Sequence, residues 1–192
     1  MTWSALAYNR GTMVKPIWDS NGFNFHETAS ELLFPDTPDP TLIWDMRGII
    51  KNRPDPFPLP FSPQTTYLDC GLKWGEDIID LIMADRGTAV LPLRNLRGFN
   101  ELDEAWSYSE DIVIGIDWSQ GVESVSKDFS IDIVDLLRQL RQRGQTEILI
   151  YSLMGEYPFI PAGATTNLNI KLATLSEIRH VPNWAQGVFS FE

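Results

Sequence analysis

The sequence predicts an α/β or α+β fold: a single layered domain, residues 1–192, with a mixed β-sheet and helices packed on it. Three observations predict it. Stretches with helical spacing alternate with short apolar runs through residues 71–192. The joins from helix to strand are tight and carry a glycine, Gly87 or Gly144. The apolar runs are continuous rather than alternating, as strands covered on both faces are.

Residues 1–53 mix aromatics with turn formers, and short strands are expected near 13–18 and 41–46. Pro54 to Pro63 holds five prolines in ten positions, with Phe57, Leu59 and Phe61 between them. Proline fixes φ and restrains the residue before it, so this run predicts an extended arm at 54–63.

Glu76 to Arg86 predicts a helix with a wide apolar arc of Ile78, Ile79, Leu81, Ile82 and Met83, stopped by Gly87. Thr88 to Leu93 predicts a strand, and Pro92 places it at an edge or marks its end. Asn100 is expected to cap a short helix over 101–106. Asp111 to Trp118 reads as a buried strand. Residues 131–143 then predict the clearest helix, with Ser130 as N-cap, arginines toward its end, and one stripe of Ile133, Val134, Leu136, Leu137 and Leu140. Thr146 to Leu153 follows as a buried strand, and weaker strands are expected at 167–173 and 187–191.

A chain of 192 residues can bury a full core without a disulfide or a metal. Its one cysteine, Cys70, excludes an intrachain disulfide and reads as a small buried hydrophobe. Residues 1–12 lack the pattern of a secretion signal, and no apolar run approaches the roughly 18 residues of a membrane span. A cytoplasmic protein is therefore expected, in the host cytoplasm if a phage or mobile element encodes it.

The net charge of −11 works against direct contact with nucleic acid or an anionic membrane and favours a basic partner. The charge is gathered. Residues 101–135 hold Glu101, Asp103, Glu104, Glu110, Asp111, Asp117, Glu123, Asp128, Asp132 and Asp135 against the single base Lys127. A second acidic stretch, 19–45, has no Lys or Arg and interleaves Trp18, Phe23, Phe25, Phe34 and Trp44 with its carboxylates. Aromatics among carboxylates suit an arginine-bearing surface.

Motifs for chemistry are sparse. No phosphate loop, dinucleotide fingerprint, nucleophile elbow or paired-cysteine zinc site occurs. His26 and His180 have no second histidine at metal-ligand spacing, so no cofactor and no metal are expected. The sharpest catalytic candidate is Asp117, at the carboxyl end of a predicted buried strand, where α/β folds bind their ligands. Tyr151 and Ser152 would lie beside it if strands 111–118 and 146–153 run parallel.

The leading functional expectation is a non-enzymatic acidic binding protein, an inhibitor or immunity-type protein covering a basic nuclease, toxin or nucleic-acid-binding complex. Its contact residues would be Asp19, Glu27, Glu31, Trp44, Glu101, Asp103, Glu104, Glu110 and Asp111. Two alternatives stand beside it. One is an enzyme centred on Asp117, acting on a small phosphorylated or ester substrate. The other is a structural subunit of an assembly, joined through the proline-rich arm or the C-terminal strand.

Overall fold

A computed structural model describes residues 1–31, 39–53, 66–85, 87–178 and 180–191, with the backbone alone at 29–31. Eight strands run parallel: β1 (Thr2–Asn9), β4 (Thr41–Asp45), β5 (Thr66–Asp69), β6 (Thr88–Pro92), β7 (Ile112–Trp118), β9 (Glu147–Ser152), β10 (Asn169–Thr174) and β11 (Val188–Phe191). Each is hydrogen-bonded to the next in that order, and β11 returns to pair with β1, from Thr2 opposite Val188 to Ala5 opposite Phe191. The sheet is thus a closed eight-stranded parallel barrel, and the expected layered α/β domain with a mixed sheet and helices packed on it is wrong. Among the described residues, antiparallel pairing is confined to additions. The hairpin of β2 (Thr12–Asp19) and β3 (Gly22–Glu31) hangs from the end of β1, and the two-residue β8 (Val122–Glu123) pairs with the end of β7.

The reason for the error is physical. A strand buried on both faces has the same continuous apolar signature in an open sheet and in a barrel. Closure depends on one long-range pairing, β1 with β11, which joins the two ends of the sequence. It also removes every edge from the eight strands, so Pro92 marks the end of β6 rather than an edge strand.

Helices are few and short: α1 (Met46–Lys51), α2 (Ile78–Met83, entered through a 3₁₀ turn at Gly75–Asp77), α3 (Phe99–Tyr108) and α4 (Ile133–Gln142). Asp132, not Ser130, caps α4, accepting from the Val134 and Asp135 amides, while the Ser130 hydroxyl donates to the Ser126 carbonyl. The α3 helix begins one residue before Asn100, at Phe99, with Gly98 in the capping position. None of these helices is long and apolar enough to cross a membrane. The proline-rich run 54–63 lies outside the described residues.

Alternation along each strand divides the apolar side chains between two cores. Ile112, Ile114 and Ile116 of β7 and Ile148 and Ile150 of β9 face outward and pack with Leu102, Ala105, Leu136, Leu137 and Leu140 of α3 and α4. Inside the barrel lie Ala5, Ala7, Leu42, Trp44, Val90, Val113, Leu149, Tyr151, Ala173 and Phe189. Small residues oppose large ones, which is how a narrow bore is filled. Gly115 shows the tolerance: a Cβ there would lie 3.0 Å from Val90 Cγ1 and 3.1 Å from Tyr151 Cε2.

Candidate functional site at the mouth of the barrel

The carboxyl ends of β5, β6 and β7 bring three charged side chains into the barrel mouth. Asp69 is the last residue of β5, Arg94 follows the end of β6 by two residues, and Asp117 is next to last in β7. All are buried, with 0%, 7% and 1% of their surface exposed, in a place where charge needs a partner. Arg94 supplies it to both carboxylates. Its Nε and one terminal nitrogen donate to Asp117 at 2.5 and 3.1 Å, and its two terminal nitrogens donate to Asp69 at 2.7 and 3.2 Å. Four of the five N–H groups of a guanidinium are thereby used.

Aromatic rings complete the enclosure. Arg94 lies 4.9 Å from the ring centre of Phe23, in the β2–β3 hairpin, and 5.4 Å from that of Tyr151, on β9. β7 and β9 are parallel, which meets the condition for placing Tyr151 beside Asp117: the two are register partners. Trp44 stands beside Tyr151 with ring centres 5.0 Å apart. The Tyr151 hydroxyl and Trp44 Nε1 are buried with no hydrogen-bond partner among the described residues. A cavity of about 480 Å³ opens above Arg94 and Asp117, walled by Trp18, Phe23, Asn52, Asn95, Glu123 and Ser124 among others.

Electrostatics at the mouth favour protonation of one group. Burial pushes the Asp117 carboxyl up to about 6; Arg94 pulls it down, while Asp69 and Glu123 push the same way as burial. Burial also works against the charge of Arg94, yet Asp117 and Asp69 outweigh it and hold the guanidinium above its already high value. Burial and the charge of Asp69 raise the Tyr151 hydroxyl well above its ordinary range, so it stays protonated.

The chain matches no protein-family model, and no curated protein matches it. The site rests on its geometry.

The residues expected to meet a basic partner differ in their surroundings. Trp44 is fully buried inside the barrel, packed on Phe23, Tyr151 and Phe191, so it is no surface anchor. Glu101 accepts from the Gly75 amide at 2.9 Å, exposed Asp103 pairs with Arg143, and exposed Glu104 accepts from the Tyr108 hydroxyl. Glu110 and Asp111 are exposed in the turn between α3 and β7. Asp19 and Glu27 are exposed on the hairpin, where Asp19 accepts from the Asn21 amide. Glu31 ends β3 opposite Thr12, and its side chain lies outside the described residues. Much of the acid-rich stretch is internally committed: Asp132 caps α4, Asp135 pairs with Arg138, and Asp117 is buried.

Neither His26, exposed on β3, nor His180, whose Nε2 lies 2.5 Å from the Tyr157 hydroxyl, lines the mouth. The C-terminal strand β11 is enclosed between β10 and β1 and offers no open edge for pairing with another chain. Sequence reasoning found Asp117 and Tyr151 but missed Asp69 and Arg94. Their signals were faint: an aspartate closing the short run Thr66–Asp69, and an arginine just past Pro92.

Proposed function

We propose that the chain is an enzyme of acid–base chemistry on a small molecule, with the barrel mouth as its active site and Asp117 as the proton-transferring group. One observation carries this reading: Asp69, Arg94 and Asp117 converge, buried, from three successive barrel strands beneath a cavity that reaches Asp117. A buried ion cluster contributes little to stability that apolar packing could not supply. A carboxyl poised near neutrality at a cavity is what proton transfer requires. By analogy, enzymes built on parallel eight-stranded barrels work at this same end. Arg94 would fix the orientation of Asp117, and Asp69 would hold Arg94 in place.

A phosphorylated substrate is poorly supported. Arg94 is the only cation among the described residues that line the cavity, and four of its five N–H groups are already engaged. The test is to incubate the protein and its Asp117→Asn variant with a small-molecule extract of the source cells and follow consumption by NMR. A compound consumed by the native protein and spared by the variant supports the assignment. Equal turnover by both, or no turnover by the native protein, overturns it.

A second reading, a basic protein partner, is favoured by the exposed acids Glu104, Glu110 and Asp111, clustered in sequence at the end of α3. Reversing these charges should slow association and flatten its salt dependence. Unchanged association would place any interface elsewhere.

A further inference from the structure

On the reading of the mouth as a small-molecule site, we infer that its ligand is a small organic cation, a protonated amine or guanidine, seated between Asp117 and Glu123 beside Trp18. The β7–β8 ladder sets Asp117 directly opposite Glu123, which puts both side chains on one face as neighbours. Like charges facing each other across a ladder repel, and an intervening cation removes the repulsion. Among the described residues the chain supplies none beyond Arg94. Arg94 divides its donors between Asp117 and Asp69, and Glu123 accepts from the Ser119 hydroxyl but joins no salt bridge among the described residues.

The other ligand classes fit less well. An anion would meet Asp117 and Glu123 with no free cation among the described lining residues to hold it. A neutral molecule would leave the two carboxylates facing each other. Trp18 adds attraction for positive charge, since an indole face binds cations better than any other side-chain ring. The face of Phe23 is already taken by Arg94, and Trp18 packs beside Phe23 with the rings at 68° and 4.8 Å between centres. Asn21 and Asn52 line the cavity with uncharged hydrogen-bonding groups for the rest of the molecule.

The groups facing Asp117 are Arg94, Asp69, Tyr151 and Glu123; the hairpin contributes Trp18 and Phe23, which do not titrate. With Asp117 raised to about 6, a bound cation would draw its proton off, so binding should weaken below that pH.

The experiment titrates the full chain with four probes of one shape: benzylammonium, benzyl alcohol, benzoate and benzyl phosphate. Binding is read from the Trp18 indole N–H by NMR, assigned with a Trp18→Phe variant. Benzylammonium should bind about tenfold more tightly than benzyl alcohol, with no binding of the two anions. Glu123→Gln should weaken benzylammonium about fivefold and leave benzyl alcohol unchanged. The native protein should bind benzylammonium more weakly at pH 5 than at pH 7.5. If benzyl alcohol or either anion binds as well as the cation, the cation inference fails while the mouth remains a binding site. If none of the four shifts the indole signal, both readings fail.

Discussion

Arg94 binds Asp117 along one edge, through Nε at 2.5 Å and a terminal nitrogen at 3.1 Å, and turns its other edge to Asp69. Removing the guanidinium leaves two carboxylates buried at the barrel mouth with no counter-charge. Arg94→Met should therefore lower stability by about 3–5 kcal/mol, read from the urea midpoint. Adding Asp69→Asn and Asp117→Asn to that variant removes the stranded charges and should recover much of the loss. A triple variant no more stable than Arg94→Met would show that the arginine acts through packing on Phe23 and Tyr151 instead.

The titration of Asp117 has a fixed sign. Its folded pKa, about 6, lies above the unfolded aspartate value near 4. The folded protein thus holds this proton more tightly, and the stability gained is complete below about pH 4 and lost as pH rises through 6. About 3 kcal/mol is at stake, from roughly two units at 1.36 kcal/mol each. Carbon-13 NMR of the Asp117 carboxyl should give a midpoint near 6. The stability of Asp117→Asn should lack this decline between pH 4 and 7. A midpoint near 4 would remove the acid–base role.

Gly115 lets Tyr151 lie across the bore. A methyl group at this position would meet Val90 Cγ1, Tyr151 Cε2 and Pro92 Cα within 3.0–3.3 Å. Gly115→Ala should cost about 1–3 kcal/mol by overpacking. It should also displace Tyr151 from Arg94, lowering the ring-current shift on the Arg94 side-chain N–H signals. A thermal melt with those NMR signals checks both effects.

The second half of the chain was legible because its signals are local. The stripe on α4, the continuous runs of β7 and β9, and Pro92 at the end of β6 each report their own surroundings. The barrel was not legible, because closure is a relation between Thr2–Ala5 and Val188–Phe191 that leaves no mark on either segment. The site divided the same way. Asp117 stood out at the end of a strong strand, whereas Asp69 ends a four-residue strand and Arg94 sits in a turn. What joins the three is the barrel itself. The acidic stretches were only partly legible for the same reason: sequence counts carboxylates but does not show that Trp44, in 19–45, faces inward or that Asp132, in the acid-rich stretch 101–135, caps a helix.

That stretch can be separated into working parts by stability alone. Glu101 accepts the Gly75 amide hydrogen across the α3 contact with the Gly75–Asp77 turn, and loss of such a charge-assisted bond costs about 1–3 kcal/mol. Glu101→Ala should fall in that range. Asp103→Asn breaks an exposed ion pair with Arg143 and should cost under about 1 kcal/mol, falling further in high salt. Glu110→Gln and Asp111→Asn touch exposed side chains and should leave the melt unchanged. Urea titrations of the four variants at low and high salt give the ranking. If Glu110→Gln or Asp111→Asn destabilised the fold as much as Glu101→Ala, these carboxylates would be structural and unavailable to a basic partner. Unchanged melts leave them free to meet one.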